Sequence, residues 1–282
     1  MSTFVKIKAL KPSLSQSEAK LADFTLKSGA KIRGLSSIEL AKSAGVSQSS
    51  VVKFAQKLGY KGFPAFKLAV VDALNEQTQE DTPLSNEIEQ NDSIAHISEK
   101  LIANQQATLV ATSKLNTPEL FEQAVQAIKG AKKVMVCAIG STHTMAQDLT
   151  LKLQKLGVCA VTHVDELSAA SYIATMGKDD LFICLSNSGT VKSIVKLAQQ
   201  AKANECQILA LTRYGHSELA TYADSCLYCI QDAEAVKHSA VLTRASLGYL
   251  IDVLFISLAQ SNLHWQRRAD RSNEYMSDML NI

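Results

Sequence analysis

Two short segments gather small hydroxyl residues around a glycine: Gly140-Ser141-Thr142 and Ser186-Asn187-Ser188-Gly189-Thr190. Each follows an apolar, strand-like run and opens a helical one. Glycine lets backbone come close, amides at a helix start point at an anion, and hydroxyls add donors. Together the two loops predict a phosphate cradle formed by Ser141, Thr142, Ser186, Ser188 and Thr190. Taken singly, each loop also reads as plain helix capping; two at neighbouring strand ends of one sheet favour the cradle. The chain has no G-x-G-x-x-G and no G-x-x-x-x-G-K-[ST], which disfavours dinucleotide and nucleoside triphosphate sites. Cys226-Leu-Tyr-Cys229 has a C-x-x-C spacing but no second pair. It lies in a strand-like run, where positions three apart face opposite sides, so buried thiols are expected rather than a metal or redox centre.

The elements that must position these loops follow from the apolar pattern. Strand-like runs occur at Val134–Ile139, Val158–Val164, Leu181–Leu185, Ile208–Leu211 and Cys226–Ile230. Helical stretches near 143–156, 166–175, 190–203 and 217–223 separate them, and a long apolar helix is expected over about 240–261. Two further helices are expected before the first strand, over 94–115 and 118–129. Strand alternating with helix predicts a doubly wound α/β domain: a five-stranded parallel sheet, flavodoxin-like, with helices on both faces. Ligands of such sheets sit beyond the carboxyl ends of the strands, where both hydroxyl loops fall.

A second constellation lies near the start. Ser15-Gln-Ser-Glu18 and Ser36-Ser-Ile-Glu39 are capping boxes that mark helix starts. The first helix is expected to stop at Gly29. The segment Leu35–Leu58 then shows helix-turn-helix spacing: small Ala41, Gly45 four residues on for a left-handed turn, and Val51 six beyond that. Val51, Phe54, Ala55 and Leu58 form one apolar face at i, i+3, i+4 and i+7. Ser47, Gln48, Ser49, Ser50, Lys53 and Lys57 fall on the polar side or at the helix start. Short hydrogen-bonding residues at a helix start suit entry into a DNA major groove, and Gln can bond adenine bidentately. Lys53, Lys57, Lys61 and Lys67 are placed to neutralise phosphates.

Charge supports this division. The 282 residues carry 29 Lys plus Arg against 27 Asp plus Glu, but residues 1–75 hold 12 bases and 4 acids, a surplus of eight. Residues 76–99 hold seven acids and no base. We therefore expect a helical DNA-binding head over 1–77, an acidic linker over 78–97 and an α/β body over 98–282. With 46% apolar and 20% charged residues the chain is globular, neither disordered nor disulfide-stapled. Its longest apolar run, Leu247–Ala259, contains Asp252 and is too short to span a bilayer. No signal pattern follows Met1, so we expect a cytoplasmic protein without a membrane partner.

The head, with Gly45-Val-Ser-Gln-Ser-Ser-Val-Val-Lys-Phe-Ala-Gln-Lys-Leu-Gly59 and Lys61-Gly-Phe-Pro-Ala-Phe-Lys67, resembles the DNA-binding domain of RpiR/MurR-type bacterial transcriptional regulators. The body, about 110–262, resembles the sugar isomerase (SIS) domain these regulators carry. The resemblance implies operator DNA as one partner, a phosphorylated sugar as effector, a homodimer or homotetramer, and control of a sugar-catabolism operon. The sequence shows no matched acid and base pair, so we expect no catalytic residue, and no cofactor or metal either. The SIS phosphate loop falls on Ser186 to Val191, with Val191 at the final Thr position and Thr190 one place early. The usual Ser of the first loop falls on Thr142, beside Ser141. The sugar end is then expected at Asn187, at His163, Asp165 and Glu166 after the second strand, and at Glu234, Lys237 and His238 before the final long helix. The recognition-helix string is most similar to regulators answering N-acetylated aminohexose 6-phosphates, with N-acetylmannosamine and N-acetylmuramate 6-phosphates as leading candidates. A phosphosugar isomerase or lyase using the same cradle is the competing reading. An architectural DNA binder without a ligand is the third.

Overall fold

The structure is a computed structural model that describes residues 3–76, 88–163, 165–230 and 240–280. It divides into two compact units, Met1–Leu115 and Asn116–Ile282. The first is helical: α1 (Thr3–Leu10), α2 (Gln16–Ile32), α3 (Ser37–Ala44), α4 (Gln48–Lys57), α5 (Phe63–Glu76) and α6 (Ile94–Leu115). Both expected capping boxes form. At the second, the Ser36 hydroxyl accepts from the Glu39 amide at 3.2 Å and the Ser36 amide donates to Glu39 Oε2 at 2.7 Å. Gly45 ends α3 in the left-handed region (φ 65°) and turns the chain into α4, which Ser47 caps. Leu40, Val51, Phe54, Ala55, Leu58 and Phe66 are shut off from solvent around this turn, with Phe54 and Phe66 edge to face at 5.7 Å between ring centres.

Gly29 does not stop α2 as the sequence predicted. The helix bends at Ser28 (φ −134°, ψ 30°) and continues to Ile32. Gly29 serves a different purpose: a Cβ there would stand 2.9 Å from Cζ of Phe4, so its bare backbone is what lets α1 pack closely. Helix α6 groups with the head by packing, whereas the sequence reading placed the body from residue 98 onward. The first half of the expected acidic linker, residues 78–87, lies outside the described residues. Its last part forms a turn in which Asp92 accepts from Lys100 at 2.7 Å, and then the start of α6.

The second unit contains α7 (Pro118–Gly130), β1 (Val134–Ala138), α8 (His143–Lys155), β2 (Ala160–Thr162), α9 (Glu166–Ile173), β3 (Leu181–Ser186), α10 (Lys192–Ala203), β4 (Gln207–Arg213), β5 (Ser225–Cys229), α11 (Val241–Gln260) and α12 (Leu263–Leu280). The five strands are all parallel in the order β2-β1-β3-β4-β5. Both faces are buried, which is why the strands read as continuous apolar runs rather than alternating ones. Val134, Val136, Ile183, Leu185 and Leu211 face α7, α8 and α11. Met135, Cys137, Phe182, Cys184 and Ile208 face α9 and α10.

Two expectations are revised in detail, and the tail adds a helix. The second strand shrinks to three residues, and the helix expected over 217–223 is a single tight turn, Leu219–Thr221. The tail is helical: Trp265 and Ala269 of α12 pack on the core, and the Arg268 guanidinium donates to the carbonyls of Leu156 (3.3 Å) and Gly157 (3.4 Å). Helix α11 has the length and composition to cross a membrane, with mean hydropathy 1.6. Here its Leu247, Leu250, Ile251, Leu254 and Leu258 are buried against the sheet.

Candidate functional site

Strand order reverses between β1 and β3, the place where the crossovers leave to opposite sides and open a crevice at the strand ends. A cavity of about 290 Å³ lies there. Ser141 and Thr142 from the loop after β1 line it, with Ser186, Asn187 and Ser188 from the loop after β3. The two hydroxyl loops predicted from sequence thus meet in one pocket.

Local bonds hold the second loop in shape. Gly189 sits in the left-handed region (φ 66°), and its amide reaches the Ser186 carbonyl at 3.1 Å and hydroxyl at 3.2 Å. A Cβ on Gly189 would lie 2.6 Å from Ser217 Cβ and 2.9 Å from Thr212 Oγ1, so only glycine fits against β4 and the following turn. The Ser188 hydroxyl accepts from the Thr190 amide (3.3 Å) and hydroxyl (3.0 Å). Asn187 donates to Thr243 Oγ1 at 3.3 Å and accepts a long hydrogen bond from Cys229 Sγ at 3.7 Å. Its side chain therefore ties the loop to α11 and β5.

The helix starts differ in how they are capped. Helices α2, α3, α4 and α9 carry side-chain caps from Ser15, Ser36, Ser47 and Asp165. Helices α7, α8, α10 and α11 have no side-chain cap hydrogen bond among the described residues, and the starts of the last three adjoin the cavity. The Ser186 and Ser188 hydroxyls accept from amides of their own loop rather than from the helix they open. The first amides of α8, α10 and α11 remain a source of positive potential at the pocket.

The remaining expected residues are distributed differently. Thr190 is exposed and does not line the cavity. His163, Asp165 and Glu166 follow the edge strand β2 and also lie outside it. Asp165 caps α9, accepting from the Ser168 amide at 2.8 Å, and that bond holds its carboxyl below the usual range. The His163 ring packs on Tyr172 with 5.4 Å between centres. Glu234, Lys237 and His238 lie outside the described residues. Sequence reasoning missed Thr243 and Arg244, which line the pocket from the first turn of α11, and the apolar walls Ile139, Leu185, Val191, Ile194 and Leu247. Arg244 belongs to a long apolar helix, and only the tertiary placement of that helix brings it to the loops.

Cys226 and Cys229 face opposite sides of β5, as the strand reading required, and burial pushes their thiols up to about 11 and about 12. Among the described residues no group of three His, Cys, Asp or Glu is placed to hold a metal. Only Cys159 is exposed. Titration of the native chain with a thiol reagent is expected to show one fast-reacting cysteine, lost in Cys159→Ser, and five slow ones. A second fast thiol would contradict the packing of the sheet.

In the head, the polar residues at the start of α4 are partly occupied. Ser47 Oγ accepts from the Ser50 amide at 3.2 Å and shares hydrogen bonds with the hydroxyls of Ser49 and Ser50. Gln48 Nε2 donates to Ser37 Oγ at 3.0 Å. Lys57 donates to Glu18 Oε2 at 2.8 Å and the Ser13 carbonyl at 3.1 Å, so its charge is engaged inside the head. Partial burial raises the Glu18 pKa, but the Lys57 and Ser15 hydrogen bonds outweigh it and the carboxyl ends below its ordinary value. Lys53 and Lys61 are exposed and make no ion pair among the described residues.

Comparison with known proteins gives these features a context. Residues 1–77 match the helix-turn-helix domain of the rpiR family, and residues 127–257 match the SIS domain. The HTH-type transcriptional regulator YfhH of Escherichia coli K12, itself uncharacterized, is 35% identical over 281 residues, 99% of this chain and all of that one. Among solved structures, Vibrio vulnificus NanR complexed with ManNAc-6P has a TM-score of 0.61 at 20% identity, with 99% of each chain covered. The sugar isomerase domain of an RpiR transcription factor from Sphaerobacter thermophilus has a TM-score of 0.58 at 23% identity, covering 64% of this chain and 98% of that one. At such identities the structural likeness is one of fold. A helix-turn-helix head on a parallel α/β body is the architecture of a two-domain transcriptional regulator. The chain belongs to the RpiR family of helix-turn-helix regulators that carry an SIS domain.

Proposed function

We propose that the chain is a ligand-controlled DNA-binding regulator of a sugar or amino-sugar catabolic operon, and that its effector is a phosphorylated sugar bound in the cavity between β1 and β3. The observation that carries this reading is the meeting of two hydroxyl loops with three helix starts free of side-chain caps. A phosphate with up to two negative charges suits such a site. Ser141, Thr142, Ser186 and Ser188 hold the phosphate, and the sugar extends toward the apolar walls. An N-acetylated aminohexose 6-phosphate is the favoured class, because the recognition helix resembles those of amino-sugar regulators and the NanR structure of the same fold holds ManNAc-6P. Ser49, Ser50, Lys53 and Lys61 meet operator DNA, with Ser47 and Gln48 shaping the helix start. The regulator works as a homodimer or homotetramer in the cytoplasm. We read it as a regulator rather than an enzyme because its family and its curated relative are transcriptional regulators.

The test is thermal denaturation of the full chain against hexose and aminohexose 6-phosphates and their unphosphorylated sugars. A ligand at one hundred times its Kd stabilises the native state by about 2.7 kcal/mol. For a chain of this size that raises Tm by about 5–10 °C. If no phosphorylated sugar moves Tm, the effector reading fails.

A further inference from the structure

Among the residues described around the cavity, a single side chain carries a formal charge. Its lining consists of serines, threonines, Asn187, alkyl side chains and Arg244. Helix α11 has only two charged residues, Arg244 and Asp252. Asp252 accepts from Lys152 at 2.7 Å, but Arg244 makes no ion pair among the described residues. Several other cations of this unit are engaged. Lys152 bridges Asp148 and Asp252, Lys132 holds Asp179, and Arg268 holds two carbonyls. The neighbour of Arg244 is also fixed: Thr243 is buried and accepts from Asn187 of the loop after β3. That bond sets the first turn of α11 in register with the hydroxyl loop, and Arg244 is carried with it.

We propose that Arg244 reads the charge of the effector, closing its guanidinium on the phosphate across the cavity from Ser141, Thr142, Ser186 and Ser188. The inference rests on the reading of this cavity as a phosphosugar site and adds the residue that makes it select the phosphorylated form. Hydroxyls and helix amides bring donors and partial charges, which also serve a neutral sugar. A guanidinium adds a full charge and a planar fork that matches phosphate oxygens two at a time. Ile139, Leu185, Val191, Ile194 and Leu247 lower the local dielectric and strengthen that attraction. Lysine at this position keeps the charge but loses the fork.

The experiment uses the full chain and three variants, Arg244→Gln, Arg244→Lys and Ser188→Ala. The probes are glucose 6-phosphate, glucosamine 6-phosphate, N-acetylmannosamine 6-phosphate, the three phosphate-free sugars and inorganic phosphate, each titrated by calorimetry at low and high salt. Arg244 is exposed, so its variants are expected to fold. For whichever phosphorylated probes bind the wild type, Arg244→Gln is expected to weaken binding about 10- to 100-fold, with Arg244→Lys between the two. The loss shrinks as salt rises, and phosphate-free sugars bind both proteins alike. Wild-type affinity in Arg244→Gln together with lost binding in Ser188→Ala overturns the role of Arg244 and leaves the phosphosugar site standing. An equal loss for phosphorylated and phosphate-free sugars overturns it too, because the side chain then acts by shape. If no phosphorylated probe binds the wild type, the site and the inference fall together.

Discussion

Gly189→Ala is expected to lower the Tm of the α/β body by about 5–15 °C and to abolish its response to phosphorylated sugars. Holding alanine in the left-handed region costs about 1–2 kcal/mol. Forcing its methyl against Thr212 and Ser217, where a Cβ would meet atoms at 2.9 Å and 2.6 Å, costs about 1–3 kcal/mol more. Each kcal/mol is worth about 2–4 °C in a domain of this size. The loop can relieve the clash only by moving away from β4, which breaks the hydrogen bond from the Leu219 amide to the Gly189 carbonyl. Ser186 and Ser188 then leave their places around the cavity. Differential scanning calorimetry with and without ligand checks both halves of this expectation. Unchanged melting would mean that the turn behind the loop yields freely.

Lys53→Glu is expected to weaken operator binding about 30-fold for each head engaged. The lysine lies on the exposed side of α4, opposite Val51, Phe54 and Ala55, which are buried. At 4 Å in water a unit charge pair is worth about 1 kcal/mol. Reversing the charge removes one attraction and adds one repulsion, about 2 kcal/mol in all. The slope of log affinity against log salt should also become shallower by about one for every DNA phosphate that is no longer neutralised. Lys57→Glu serves as the contrast. Lys57 is paired with Glu18, so the change disturbs the packing of α2 on α4 and lowers stability as well as affinity. Fluorescence anisotropy on promoter DNA at several salt concentrations distinguishes the two. Equal binding by Lys53→Glu and wild type would remove α4 from the interface.

The head is almost fully legible in the sequence because its determinants are local. A serine three residues before a glutamate, a glycine after a small residue and an i, i+3, i+4, i+7 stripe are all decided within one or two turns. Gly29 misleads for the same reason: the local rule takes a glycine as a helix stop, while the cause lies in Phe4, far away in the chain. The parallel sheet is legible from its apolar runs, and the two hydroxyl loops from their composition. The strand order is not, because crossover choice leaves no local trace. Without that order, His163, Asp165 and Glu166 look as near to the loops as any other strand-end residues. They follow the edge strand β2, whereas the crevice opens between β1 and β3. Arg244 escapes notice because an arginine within a helix is ordinarily a solvent-facing residue.

Helix α1 contributes Phe4, Ile7 and Leu10 to the interior of the head, and Thr3 shares a 2.7 Å hydrogen bond with Tyr60 just beyond α4. Lys6 lies over the same tyrosine ring. Helix α1 therefore packs on α2, α5 and α6 and braces the chain just beyond α4. Trimming α1 to tidy the polypeptide for crystallisation is expected to loosen the head, and with it the operator binding proposed above, without removing one side chain of α4. Affinity tags are better fused at the opposite end, where α12 leaves every described residue at least partly open to water.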